Sequence, residues 1–182
     1  MSEADHTRQA VITAARRALI AGAPVDLGKI ATEIGVDRST VFRRAGRRDQ
    51  VVAEALWHTT ASIAWPACLA AHPPDSPHRA AEVMTSYVRM LIDEAWFRDF
   101  LHRDPARALR ILTTSETPLQ ARALAMVRDL LAGEPPGPVD LAPDALAFVV
   151  VRLAESFIYA DVIAGGTPDA DAAYRVFVAL LG

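Results

Sequence analysis

Cysteine is almost absent from this chain of 182 residues. Cys68 stands alone, which excludes an intrachain disulfide and any multi-cysteine metal site. Long apolar runs are missing as well. The longest, Ala145 to Val151, falls far short of the roughly 18 residues a membrane span needs. The opening Met1-Ser2-Glu3-Ala4-Asp5 is acidic and carries no apolar stretch, so no secretory signal is expected. There is no strand-like alternation, no internal repeat, no glycine-rich phosphate loop and no Ser/His/Asp grouping. His102-Arg103-Asp104 has no second His or Cys at metal-ligand spacing. The expectation is a cytoplasmic protein that is not an enzyme, with no cofactor, no metal site, no catalytic residue and no membrane partner.

What the chain does contain is apolar side chains, 52% of the total against 23% charged, enough for a real core. The length suits one compact unit or two small cooperating domains. The net charge of −3 hides an asymmetry. Residues 1–56 carry nine basic and seven acidic side chains, whereas residues 57–182 carry ten and fifteen. Between Lys29 and Arg48, six basic residues (Lys29, Arg38, Arg43, Arg44, Arg47, Arg48) face only Glu33 and Asp37. A basic cluster on an acidic body is the footprint of a nucleic-acid contact, and equally of a solvated helix face.

Helical spacing accounts for nearly every segment. Val11, Ala14, Ala15, Ala18 and Leu19 line one face of a helix ending near Gly22. Leu27, Ile30, Ala31 and Ile34 repeat the pattern behind Asp26, an N-cap. Gly35-Val36 interrupts, Asp37 is placed to cap a third helix to about Arg44, and a longer fourth runs from Arg48 to the Ala64–Pro66 region. Further helix starts are expected at Ser76-Pro77, at Thr117-Pro118-Leu119-Gln120 read as a capping box, at Pro143-Asp144, and at Thr167-Pro168-Asp169. Trp96–Leu112 suits one or two short helices, and Gly133–Pro138 is a loop. The expected fold is all-α with about nine helices: a helix-turn-helix domain over residues 1–47 and a helical ligand-binding and dimerisation domain over 48–182.

Three short helices with a tight glycine turn between the second and third make the helix-turn-helix pattern. Ile30, Ala31, Ile34, Val36 and Val41 would lock those helices together. Arg38, Ser39, Thr40, Arg43 and Arg44 would present a short, basic face to a major groove.

The string Ile30-Ala31-Thr32-Glu33-Ile34-Gly35-Val36-Asp37-Arg38-Ser39-Thr40-Val41-Phe42-Arg43-Arg44, with Arg48-Asp49-Gln50-Val51-Val52 behind it, resembles the DNA-binding domain of TetR-family regulators over about residues 7–56. The resemblance implies phosphate contacts from Phe42 and Arg48. Phe42 replaces the commoner tyrosine, which removes a phenol hydrogen bond, and Arg44-Ala45 replaces the family's histidine-phenylalanine. The segments Phe100–Arg110 and Arg152–Gly165 are similar to the regulatory domain of QsdR-type regulators, which implies a repressor responsive to a small effector, with a lactone as one class.

In the second half, Arg152, Glu155, Ser156 and Tyr159 stand at i, i+3, i+4 and i+7 of a helix apolar nearly all round, expected to be buried. They form either a structural ion pair with neighbouring donors or the polar end of a ligand cavity. Tyr87, Trp96, Phe97 and Phe100, with Met84 and Met126 as fillers, are core side chains or cavity lining. Trp57 sits on the helix that would join the two domains. The last two long helices, the final one carrying Tyr174, Phe177, Val178 and Leu181, are expected to form a two-fold homodimer interface. The leading reading is a homodimeric repressor of a palindromic double-stranded operator, released by a small, mostly apolar effector. The alternatives are a helical-bundle carrier or enzyme, and a DNA-binding protein with no effector.

Overall fold

The first helix follows directly from the Val11–Leu19 stripe. In the computed structural model, which describes residues 3–182, α1 (Glu3–Ile20) buries Val11, Ile12, Ala14, Ala15 and Leu19 on one side. Asp26 caps α2 (Leu27–Glu33), accepting from the backbone N–H groups of Gly28 and Lys29 at 2.8 and 3.2 Å. Those two bonds hold its carboxyl below the usual range. The turn to α3 (Arg38–Ala45) passes through Gly35 at φ +71°, a left-handed conformation that only glycine adopts readily. Asp37 occupies the N-cap position of α3 but makes no side-chain capping bond. Ile30, Ala31 and Val41 are buried between these helices and α1, while Ile34 and Val36 are partly buried.

The fourth helix is broken where continuity is expected. α4 (Arg48–Thr59) passes through a π-helical turn (Thr60–Ala64) into α5 (Trp65–Ala71). The N-terminal side of α4 packs on α1, and the helix also meets α8 (Pro105–Thr113) and α9 (Leu119–Leu131), so it belongs to both halves of the molecule. The rest of the body comprises α6 (Arg79–Asp93), α7 (Ala95–Arg103), α10 (Pro143–Ile158), α11 (Ala160–Ala164) and α12 (Ala170–Leu181). Among the described residues there are twelve α-helices and no strand. The excess over nine comes from the π-helical interruption, the split at Asp104, and a break at Tyr159 that separates α11 from α10.

Three helix starts differ from expectation by one or two residues. Ser76-Pro77 forms a turn, and α6 begins at Arg79 because the Ser76 hydroxyl donates to Glu82 instead of capping a backbone N–H. Asp169, not Thr167, caps α12. At α9, Pro118 is the N-cap and the Gln120 side chain turns into the protein, so the expected capping box does not form. The Pro143 helix is not buried all round either. Phe148 is 52% exposed and Ser156 faces solvent, because α10 packs on α6, α9 and α12 along one side only.

Candidate DNA-reading face and ligand cavity

α3 is held by Val41 from below, which turns its other side outward. Arg38, Ser39, Phe42, Arg43 and Arg44 are all exposed, and Thr40 is half-buried with its hydroxyl accepting from Arg43 at 3.2 Å. Arg48 differs from these. It is half-buried at the start of α4, and its Nε donates to the Val25 carbonyl at 2.6 Å, tying α4 to the loop before α2. Its remaining donors stay available, since a guanidinium carries five N–H groups. Arg47, beside it, is exposed. Its backbone N–H is capped by Gln50 at 2.8 Å, over the positive-φ Gly46.

Within the body, α4, α6, α9 and α10, with Phe97 of α7 and Leu112 of α8, surround a mostly apolar cavity of about 90 Å³. Trp57, Tyr87, Phe97 and Tyr159 supply its rings, and Met84 and Met126 fill between them. Tyr159 and Glu155 form its polar end with Gln120. Gln120 bridges three groups: Nε2 donates to the Leu112 carbonyl and, at 2.5 Å, to Glu155, while Oε1 accepts from Arg152. Arg152 also reaches Glu155 at 2.9 Å, and its guanidinium stacks on Phe148 at 5.6 Å. Burial pushes the Glu155 carboxyl upward, an effect that the Gln120 hydrogen bond and the Arg152 charge offset only in part. Burial also pushes Tyr87 up to about 12, against a side-chain hydrogen bond with Thr60, and raises Tyr159 well above its ordinary value, with the repulsion of Glu155 added.

The expected site residues therefore separate into groups. Tyr87, Phe97, Glu155 and Tyr159 meet at the cavity, and Arg152 stands behind Glu155 without lining it. Ser156 is not part of the stripe, because its exposed hydroxyl turns back to the Leu153 carbonyl. Trp96 is buried edge-on against Phe97 outside the cavity, and Phe100 lines a different cleft, between α7 and the helix-turn-helix. Gln120 is the polar residue that sequence reading assigned wrongly. Its position after Thr-Pro signals a helix cap as strongly as a buried bridge, and only the approach of α10 distinguishes the two.

Folding also assembles a Ser/His/carboxylate chain that the sequence does not display. His72 Nε2 lies 2.8 Å from Ser86 Oγ, and its Nδ1 lies 3.4 Å from Glu82. Ser86 is the eighth residue of α6, beyond the first four whose N–H groups a helix leaves free. The Ser86 amide is committed to the helix ladder, and the chain ties the end of α5 to α6. Among the described residues no cluster of three or more His, Cys, Asp or Glu is placed to hold a metal ion. No described helix is long and apolar enough to cross a membrane.

A basic helix-turn-helix joined through one shared helix to an all-helical body is the architecture of a class of DNA-binding transcriptional regulators. The chain belongs to the TetR family: residues 77–182 match the family described as Tetracyclin repressor-like, C-terminal domain. The fold is similar to that of the R. erythropolis transcriptional repressor QsdR, from the TetR family. That likeness has a TM-score of 0.84 at 21% identity and covers 98% of this chain and 95% of that one. No curated protein matches the chain.

Proposed function

We propose that two copies of this chain form a repressor that reads a palindromic operator through α3 and is released by a small, mostly apolar effector in the cavity between α4, α6, α9 and α10. The observation that carries the reading is α4 itself. It begins at Arg48, beside the exposed face of α3, and its Leu56 and Trp57 reach the cavity, so one rigid element touches both sites. Arg38, Ser39, Thr40, Phe42, Arg43 and Arg44 would contact DNA, with Arg48 positioning α4 and touching phosphate through its free donors. The homodimer would pair the outward faces of α10 and α12. Phe148 supplies exposed apolar surface there, whereas Phe177, expected at the same interface, is fully buried within the protomer.

Tyr87, Phe97, Glu155 and Tyr159 would meet the effector. Glu155 is the one formally charged side chain on the cavity wall, and Arg152 balances it, which suits an uncharged ligand such as a lactone. The cavity is smaller than the roughly 300–1,000 Å³ typical of ligand sites, so binding requires it to open. That same size favours a second reading, a DNA-binding protein with no effector in the body.

Titration of the purified protein with DNA from around its own gene, across a salt series, tests the first half. Specific binding should weaken with log salt at a slope of roughly −0.9 per phosphate neutralised. Absence of binding at low salt to that or any selected genomic fragment would overturn the regulator reading. A complex that no apolar effector releases would leave the second reading standing.

A further inference from the structure

We infer that the cleft between the DNA-binding half and the body is a binding site for a small organic carboxylate with a short apolar tail. The cleft measures about 250 Å³, larger than the internal cavity, and is walled by α1, the loop before α2, α4, α7 and α8. Its floor is apolar: Leu19, Val25, Val52, Phe100 and Ile111. Three arginines and one aspartate stand on its walls.

Those charges are not equally satisfied. Arg107 is paired with Asp49, its Nε lying 2.7 Å from the carboxylate. Asp104 accepts from the Arg107 backbone N–H at 3.2 Å as the cap of α8. Among the described residues neither Arg48 nor Arg103 is ion-paired to a carboxylate within 4 Å. Arg48 donates to the carbonyl of Val25, and Arg103 to that of Gly22, and each guanidinium keeps further N–H donors. Two planar guanidiniums over an apolar floor match a carboxylate head and a short hydrocarbon tail, because the fork of N–H groups binds both carboxylate oxygens. The internal cavity has the opposite preference, since its one charged lining residue is Glu155.

The site spans a seam. Val25 lies in the loop before α2, Arg48 opens the shared α4, and Phe100 and Arg103 lie on α7 of the body, so an occupant holding all four fixes these elements against one another. The cleft shares Arg48 with the proposed DNA contact, so its occupancy is measured on the free protein.

The experiment is calorimetric titration of the full chain at low salt with hexanoate, hexanamide and inorganic phosphate. Hexanoate should bind with one site per chain, at least tenfold more tightly than hexanamide or phosphate, and more weakly as salt rises. Arg103 is exposed, and glutamine keeps an N–H donor for the Gly22 carbonyl, so Arg103→Gln should keep the circular dichroism and thermal midpoint while weakening hexanoate at least fivefold; Arg103→Glu should abolish binding. No heat from hexanoate up to about 10 mM, the edge of measurable affinity, would overturn the assignment. So would equal binding of hexanamide, or hexanoate affinity unchanged in both Arg103 variants. Loss of DNA affinity in Arg103→Gln with hexanoate binding intact would likewise overturn it and give the cleft to a DNA phosphate.

Discussion

Arg122 on α9 grips Glu54 on α4 with two parallel hydrogen bonds, Nη1 to Oε2 at 3.2 Å and Nη2 to Oε1 at 2.9 Å. The same guanidinium lies over the Trp57 ring at 5.6 Å, and Arg8 of α1 approaches Glu54 at 3.3 Å. Gln120, two residues before Arg122, lines the cavity. A displacement of α9 by a ligand would therefore pull directly on the helix that enters the DNA-binding half.

Replacing Glu54 by Gln should uncouple the two halves without unfolding the protein. The pair is partly solvent-exposed, so its loss should lower stability by about 1 kcal/mol or less. Operator affinity should persist while effector-driven release falls, since the coupling available to such a regulator is only about 1–3 kcal/mol. Thermal melts and a DNA-release assay, run on the same preparation, check both halves of the expectation.

Alanine at Arg43 and Arg44 should weaken operator binding and flatten its salt dependence, by about 0.9 in slope for each phosphate that is no longer neutralised. Both side chains are exposed and hold nothing in the core, so the melting temperature should not move. Unchanged binding isotherms across the salt series would remove these two arginines from the interface.

Glu155 makes a pH prediction with a definite sign. Its folded-state pKa is raised, mainly by burial, so the folded protein holds the proton more tightly than the unfolded chain. Stability should accordingly fall as pH climbs from the ordinary glutamate range through the higher folded value. Glu155→Gln keeps the shape and lacks that ionisation, so its melting temperature should not show this decline. Parallel melts of both proteins between acid and neutral pH read the difference.

Asp161 behaves in the opposite way. Burial alone would raise its carboxyl, but hydrogen bonds from Arg98 and His102 outweigh that and bring it down to about 2. Its contribution should be present above the ordinary aspartate value and be lost as pH falls toward 2. Arg98 also donates to the Ile158 carbonyl at 2.9 Å, so this cluster fastens α7 to the break between α10 and α11. Asp161→Asn should lower stability at neutral pH and narrow the gap to the natural protein in acid, as acid titration followed by circular dichroism would show.

Gly46 carries a stability prediction of its own. At φ +87° it sits where side chains are strained, and an added Cβ would meet the Gln50 side chain that caps the Arg47 N–H. Gly46→Ala should cost about 1–3 kcal/mol, read by chemical denaturation, and should disturb the entry to α4 before any other element.

Periodicity alone determined the all-helical class, the helix-turn-helix and its outward basic face, because α1, α2 and α3 are short amphipathic helices whose buried side is written in local spacing. Val41 goes inward and Arg43 outward whatever the rest of the molecule does. Local spacing equally placed Tyr87, Phe97 and Glu155 on the right helices, while Tyr159, expected inside the helix of Glu155, stands at its C-terminal break. It could not say which of them would meet, since cavity walls come from α4, α6, α9 and α10, which are distant in sequence. Ser156 left the site because four residues of helix span more than one face. Phe100 left it because α7 turns that ring toward α1 and α4. Gln120 entered it because α10 offers two charges that a backbone cap does not. Whether a polar side chain on a helix caps, bridges or faces water is decided by which neighbour arrives to take its hydrogen bonds, and that is a property of tertiary packing.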